Sequence, residues 1–181
     1  MWISKVSLQP FTGRSGIAHS LAAEVQRFDS GIIDLRYVLC ADMSRVRVPS
    51  VRPSCHTSPT DELWRHTCFE MFVHKDSNSP AYYELNISPS GQWALYSFDA
   101  YHKNMTPVIP TRPPRVHAIQ AEDRLEVQVR ADFSGRPCTG TMAVSAVIED
   151  SACGLAYWAV THPSVEPDFH HSDSFIIGSR L

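Results

Sequence analysis

The sequence lacks a long hydrophobic run, an excess of positive charge and a leader-like start. No apolar run approaches the about 20 residues that cross a bilayer, and the first residues, MWISKVSLQP, do not place a basic segment before an apolar one. Lysine and arginine number 16 against 19 aspartates and glutamates, which argues against a nucleic-acid binder or a polybasic membrane-surface protein. We therefore expect a cytoplasmic protein that binds neither nucleic acid nor membranes.

The chain also lacks the short motifs of common enzymes and metal sites. The GxGxxG, Walker A, HExxH and GxSxG patterns are all missing from the sequence. The cysteines are odd in number, widely spaced and without a CxxC pair, which argues against a disulfide framework or a structural zinc site: Cys40, Cys55, Cys68, Cys138 and Cys153. We predict reduced thiols, no catalytic residue and no enzymatic activity.

The hydrophobic residues recur with the period of two that is typical of strands, rather than with the helical period. Ten segments show strand patterns, although His19–Phe28 also fits a short helix: Trp2–Leu8, His19–Phe28, Ile32–Cys40, Thr67–His74, Ala81–Ser88, Gln92–Asp99, Arg124–Phe133, Thr141–Glu149, Gly154–Val160 and Ser174–Gly178. Short strands without long helices predict one all-β domain over residues 1–181. We expect an antiparallel two-sheet β-sandwich of immunoglobulin or jelly-roll type, with about nine to ten strands.

Turn residues separate several of these strands. Pro89-Ser90-Gly91 predicts a hairpin, because proline presets φ and glycine permits a positive φ, and Asp29-Ser30-Gly31 predicts a second turn. Arg47–Glu62 and Met105–Pro114 are rich in proline, so we predict that both are loops or edge crossings.

Four neighbouring segments combine aromatic and carboxylate side chains in a specific order. They are Leu63-Trp64-Arg65, Thr67–Phe72 (TCFEMF), Tyr82–Asn86 (YYELN) and Pro89–Trp93 (PSGQW). This order resembles the DOMON-like superfamily, in particular the branch related to family 9 carbohydrate-binding modules. In that branch a Leu-Trp precedes a strand containing Glu-x-Phe, and a Tyr-x-Glu-x-Asn-x-Ser-Pro-x-Gly hairpin follows. The resemblance covers the chain from about Trp64 to Phe175, and the N-terminal third aligns only by strand count.

The resemblance implies a β-sandwich that binds a small ligand, either a sugar or haem. In the sugar-binding relatives two tryptophans enclose a terminal saccharide, while carboxylate and amide groups bind its hydroxyls. Trp64 matches the first tryptophan and Glu70 matches the carboxylate. Tyr157 or Trp158 would supply the second aromatic wall. The sequence therefore predicts a small carbohydrate or a sugar-like ligand as the partner.

Polar residues near these positions complete the predicted site. The basic residue of the relatives' site has no clear match, and Gln92 or Arg65 would replace it. Glu84 and Asn86 would add polar contacts, although Asn86 also suits a backbone-bonding role beside the hairpin. Glu70 stands among apolar neighbours, so its carboxylate is either paired in the core or part of a site. Glu70 and Glu84 lie on neighbouring predicted strands, but the sequence shows neither the cleft nor the raised pKa that a glycosidase pair needs.

Three alternative functions are also open. A protein-interaction module would use an exposed apolar patch around Trp2 and Trp64. A haem-binding domain would draw its axial ligands from four candidates: Met71, His66, His162 and His170. No other cofactor is expected. A metal site would use the weak candidates Asp168, His170 and His171, but adjacent residues of an extended chain point to opposite sides, so we expect no metal.

Overall fold

The computed structural model describes residues 1–11, 16–50 and 59–178 of the 181-residue chain. Within these ranges the chain forms eleven β-strands and short 3-10 turns, and it contains no helix long and apolar enough to cross a membrane. The strands are β1 (Trp2–Pro10), β2 (Ala18–Arg27), β3 (Ile32–Ala41), β4 (Cys68–His74), β5 (Tyr82–Ile87), β6 (Trp93–Phe98), β7 (Thr106–Pro107), β8 (Arg115–Gln120), β9 (Arg124–Asp132), β10 (Met142–Asp150) and β11 (Gly154–Ala159).

The eleven described strands form one antiparallel sheet in the order β7-β6-β5-β4-β10-β11-β1-β2-β3-β9-β8. Strand β1 connects its two halves, because it pairs with β2 from Trp2 to Leu8 and with β11 at Gln9 and Pro10. The predicted all-β antiparallel architecture is confirmed. The structure shows one curled sheet of eleven described strands rather than a clear division into two sheets with nine to ten strands, because a period of two identifies a strand but not a change of pairing partner along it.

Nine of the ten predicted strands form within two residues of their predicted bounds, and His19–Phe28 is a strand rather than a helix. The prediction of Ser174–Gly178 is wrong: Ser172–Ser174 is a 3-10 turn, and Ile177 makes an isolated bridge to Met142. The sequence patterns do not predict β7 and β8. Strand β7 has only two residues, and β8 is an exposed edge strand that follows two prolines.

The two predicted turns join paired strands. Gly31 follows β2 with a φ of 86°, and Gly91 lies between β5 and β6 with a φ of 89°, in the left-handed region that favours glycine. The predicted loop Arg47–Glu62 lies partly outside the described residues, and Cys55 lies entirely outside them. The other four cysteines are free thiols. That the whole chain is a single domain stays a prediction.

The main core lies between the two halves of the curled sheet. Phe69 and Met71 of β4 are buried there with residues of β2, β3 and β9. Tyr37 of β3 crosses this core and donates a 2.7 Å hydrogen bond to the backbone oxygen of Glu70. Because side chains alternate along a strand, the intervening residues of β4 face the opposite, outward side. That side carries a second apolar cluster, which includes Phe72.

Candidate functional site

A cavity of about 860 Å³ lies on the outward side of the sheet half that contains the second apolar cluster. Its floor consists of side chains from β4, β5, β6, β10 and β11, and its walls come from the 3-10 turn at Leu63–Arg65 and from two loops, residues 101–105 and 164–170. We call this space the outer cavity. It is larger than four other cavities in the described part of the chain, which measure at most about 550 Å³.

The alternation and the register of β4 and β5 bring three polar side chains together on this side. Glu70 is paired directly with Asn86 across the two strands, and Phe72 is paired with Glu84. Glu84 and Asn86 are two residues apart on β5, so their side chains share a face with Glu70. All three residues are at most 5% exposed. The strand pairing therefore places a compact polar group beneath an apolar surface.

The two glutamates of this group have few hydrogen-bond donors. Glu70 accepts one from the Ser145 hydroxyl at 3.1 Å, and Glu84 accepts one from the Asn86 side-chain amide at 2.7 Å. Burial raises the pKa of Glu70 to about 8, with a further increase from the nearby charge of Glu84. Burial also raises the pKa of Glu84 to about 7. The two glutamates therefore keep their protons at pH values above 4.5, at which solvent-exposed glutamates are ionised.

His170 extends this polar floor from the loop side. Its Nε2 lies 3.6 Å from a carboxyl oxygen of Glu84, and its Nδ1 lies 2.8 Å from the Tyr82 hydroxyl. Burial lowers the pKa of His170 to about 4, and the neighbouring His102 lowers it further. The imidazole is therefore neutral near neutral pH. If the Tyr82 hydroxyl donates to Nδ1, the imidazole proton is on Nε2 and faces Glu84.

Asp168 connects the two loops that cover the cavity. It accepts a hydrogen bond from the Tyr101 hydroxyl at 2.7 Å and from the backbone N–H of His170 at 3.0 Å. The His102 ring lies 3.7 Å from the same carboxylate. The rings of His102 and His170 are also in contact, with centroids 4.2 Å apart. These contacts hold the loop of Tyr101 and His102 against the loop of Asp168 and His170.

Aromatic side chains line the cavity on several sides. Trp64 lies on the 3-10 turn and packs edge-to-face on Tyr96, with the ring centroids 6.0 Å apart. The Tyr96 hydroxyl donates a hydrogen bond to Asp61 just before this turn, which ties the turn to β6. Tyr157 of β11 contacts Phe169 of the covering loop, with centroids 6.1 Å apart. The cavity thus combines aromatic walls with a polar floor, the composition of a small-ligand site.

The structure brings together four of the seven predicted ligand-binding residues as cavity lining: Trp64, Glu70, Glu84 and Tyr157. Asn86 is buried beside the carboxyl groups. Gln92 lies at the hairpin, where it donates to the Thr60 hydroxyl and accepts from Ser90. The prediction of Trp158 as a possible opposite wall is wrong, because its side chain is buried in the main core on the other side of β11.

The loops contribute lining residues that the sequence reasoning missed. Tyr101, His102 and Phe169 reach the cavity from segments without strand periodicity, and Phe98 lies at the end of β6. The only signal for these loops is the run of residues 168–173, which the sequence suggests as a weak metal site. Two of its candidates, Asp168 and His170, do line the cavity, whereas the third, His171, is in contact with Asp173 outside the lining. In the described ranges no group of three or more histidine, cysteine, aspartate or glutamate side chains could hold a metal ion.

Comparison with known proteins adds the fold relationship. No protein-family model matches the sequence, and no curated protein matches it significantly. A candidate carbohydrate-binding protein from Bacteroides uniformis ATCC 8492 is structurally similar, with a TM-score of 0.67 at 13% identity over 94% of this chain and 84% of that chain. A family 9 carbohydrate-binding module from Caldicellulosiruptor kristjanssonii, solved with cellotriose, has a TM-score of 0.50 at 12% identity over 90% of this chain and 75% of that chain. These likenesses establish a shared fold, and they confirm the predicted resemblance to family 9 carbohydrate-binding modules at the level of the fold.

Proposed function

We propose that the chain is a non-catalytic carbohydrate-binding domain that holds a small saccharide in the outer cavity. The observation that carries this proposal is the combination of aromatic walls and a polar floor in a space of about 860 Å³. A pyranose ring needs both, because its C–H face is apolar and its hydroxyl rim needs hydrogen-bond partners. The structural similarity to a family 9 module that was solved with cellotriose supports the same function.

In this proposal Trp64 is the stacking surface, and Tyr157 with Phe169 forms another aromatic wall. Trp64 is only partly buried by the protein itself, so part of its indole is available to a ligand. Glu70 and Glu84 accept hydrogen bonds from the sugar hydroxyls. A carboxyl group can also donate one while it holds a proton, so the floor can satisfy both kinds of hydroxyl contact.

The position of the carboxyl groups supports binding rather than glycoside hydrolysis. A glycosidase needs a protonated acid and an ionised carboxylate on either side of the scissile bond. Glu70 and Glu84 lie on the same side of one sheet, and burial raises the pKa of both. A sugar above this floor therefore has both groups on one side.

The haem alternative has less support from the positions of its candidate ligands. Met71 is fully buried in the main core, whereas His170 lines the outer cavity on the other side of the sheet. These two residues therefore cannot bind opposite sides of one haem. His66 and His162 make hydrogen bonds away from the cavity lining. Membership of the DOMON-like superfamily and a cytoplasmic location are further parts of the proposal, the latter testable by cell fractionation.

The test is a titration of intrinsic tryptophan fluorescence with glucose and with cellotriose, on the wild type and on Trp64→Ala. We expect a saturable change in the wild type and its loss in Trp64→Ala. Trp2→Ala is the matched control, because Trp2 is also partly buried but packs beside Arg27, outside the outer cavity. Thermal unfolding of each variant verifies that it is folded. An unchanged titration in Trp64→Ala contradicts the placement of the site, and a flat response of the wild type to a wide sugar panel favours the protein-interaction alternative.

A further inference from the structure

The outer cavity contains more acidic than basic side chains. Its lining includes four acidic residues: Glu70, Glu84, Glu166 and Asp168. Among the described residues that line it, Arg65 is the one arginine, and there is no lysine. The Arg65 guanidinium is 65% exposed and is already bonded to Glu62 at 2.7 Å. Positive charge from the protein is therefore absent from the floor, where the two glutamates are buried.

The acidic groups differ in how well the protein satisfies them. Asp168 accepts two hydrogen bonds at 3.0 Å or less and has a histidine ring 3.7 Å away. Glu70, by contrast, accepts one hydrogen bond from the described residues, from the Ser145 hydroxyl. The Nε2 atom of His170 lies 3.6 Å from a carboxyl oxygen of Glu84, and that imidazole is neutral near neutral pH. Burying a carboxylate without a cationic partner is costly, so these two positions favour a cation that comes from the ligand.

A third acceptor lies beside the two glutamates. The side-chain oxygen of Asn86 is buried and has no hydrogen-bond partner among the described residues. Asn86 is paired directly with Glu70 across the strands, and its amide nitrogen is bonded to Glu84. The floor thus offers three neighbouring side chains with unused capacity to accept hydrogen bonds. An ammonium group has three donors and no acceptor, which matches this set in number and charge.

We propose that the ligand of the outer cavity is an amino sugar, whose ammonium group binds at Glu70 and Glu84 while its ring packs on the aromatic walls. This inference rests on the proposed carbohydrate-binding function and specifies the chemical class of the sugar. A neutral hydroxyl in the same place donates a single hydrogen bond and brings no charge. The ammonium group also stabilises the ionised form of these carboxyl groups, which burial otherwise disfavours, so the amine should increase affinity relative to the matching hydroxyl.

The inference also predicts that binding of an amino sugar releases protons. Burial holds protons on Glu70 and Glu84, whose pKa values are raised to about 8 and about 7. To form ion pairs with an ammonium group, these carboxyl groups must ionise, so each pair formed near neutral pH releases up to one proton to the buffer. A neutral sugar can bind to the protonated carboxyls and needs no such release.

The experiment is isothermal titration calorimetry with glucosamine, glucose and N-acetylglucosamine, near neutral pH and in two buffers of different ionisation enthalpy. N-acetylglucosamine is the matched ligand control, because acetylation removes the charge and keeps the nitrogen. We expect glucosamine to bind about tenfold or more tightly than glucose, which corresponds to about 1.4 kcal/mol. We also expect its binding enthalpy alone to depend on the buffer, as proton release requires.

Two isosteric variants, Glu70→Gln and Glu84→Gln, locate the effect. Each should lower the preference for glucosamine over glucose and reduce proton release, and either one suffices if the other fails to fold. Glu122→Gln, an exposed residue outside the cavity lining, is the control that should change neither quantity. Equal binding of the three sugars, or an unchanged preference in both variants, overturns this inference and leaves carbohydrate binding intact. If no sugar binds, the proposed function fails and the inference fails with it.

Discussion

Replacing Glu70 with glutamine tests the electrostatics of the outer cavity without any ligand. Glu70 is 3% exposed on the floor of the cavity, and burial together with the nearby charge of Glu84 raises its pKa from the usual 4.5 to about 8. Between these two values the folded protein keeps a proton that the unfolded chain has released. At this residue the folded state then binds more protons than the unfolded state, so the contribution of Glu70 to the free energy of unfolding falls as the pH rises through this interval.

The size of the effect follows from the same two values. One proton retained only by the folded state lowers the free energy of unfolding by about 1.4 kcal/mol for each pH unit. Over the interval from 4.5 to about 8, Glu70 lowers it by up to about 5 kcal/mol, part of which comes from repulsion by ionised Glu84. Glu84 adds a second decrease that ends near pH 7, where its own raised pKa lies. Since a domain is typically stabilised by about 5–15 kcal/mol, this loss is a large fraction of the total.

The assay is urea unfolding, followed by tryptophan fluorescence, at a series of pH values between 4.5 and about 8. Glutamine keeps the shape of the side chain but cannot ionise, so Glu70→Gln should lose less stability over this range than the wild type. At the alkaline end of the range the variant should be the more stable protein. The exposed Glu122→Gln substitution should leave the pH dependence unchanged. The lowered pKa of His170 raises stability with pH below about 6.5 in both proteins, so the test is the difference between their slopes. Equal slopes in the wild type and Glu70→Gln refute the reasoning.

Two further substitutions test other parts of the sheet. Glu126 accepts hydrogen bonds from Arg36 at 2.7 and 2.8 Å, which lower its pKa to about 2. Glu126→Gln should therefore lower the free energy of unfolding, measured in urea near neutral pH, by about 1–3 kcal/mol. This cost should decrease as the pH falls from 4.5 toward 2, where about half of the wild-type carboxylate is protonated, and an undiminished cost there contradicts the ion-pair explanation. A Cβ on Gly140 would lie 2.5 Å from the Cβ of His74 and 2.8 Å from the backbone oxygen of Asp76. Gly140→Ala should therefore lower the free energy of unfolding by about 1–3 kcal/mol. A variant as stable as the wild type would contradict this prediction and show that the neighbouring atoms move aside.

Local patterns in the sequence predict the strands well because each strand carries its own signal. Nine of the ten predicted strands form, and the glycine turns fall where they are expected. The pairing of β1 with both β2 and β11 has no such local signal, since it depends on how the chain curls around the core. For the same reason a pattern cannot distinguish a curled continuous sheet from two separate ones.

Some residues of the candidate site can likewise be predicted from local patterns, and others cannot. Glu70 and Glu84 attract attention in the sequence because each is a charged residue in a strand pattern, and the register of β4 and β5 places them on one side. Trp158 fails as a wall because it is adjacent to Tyr157, and adjacent residues of a strand face opposite sides. This rule applies to the sequence as well, so only one of the two aromatic residues could ever have reached the cavity.

The covering loops could not be predicted, and they determine the chemistry of the floor. In β4 the residues from Cys68 to Val73 are all buried, on both sides of the sheet, which is unusual for an antiparallel strand with one side facing solvent. The outward side is buried because the loop of residues 164–170 covers it and is held by Asp168. On an uncovered sheet the Glu70 carboxyl group would be solvated and would titrate near its usual value. The pH dependence that Glu70→Gln removes therefore measures the loop cover as well as the carboxyl group, and opening the loop in a Tyr101→Phe variant, which loses the hydrogen bond to Asp168, should reduce that dependence in the same direction.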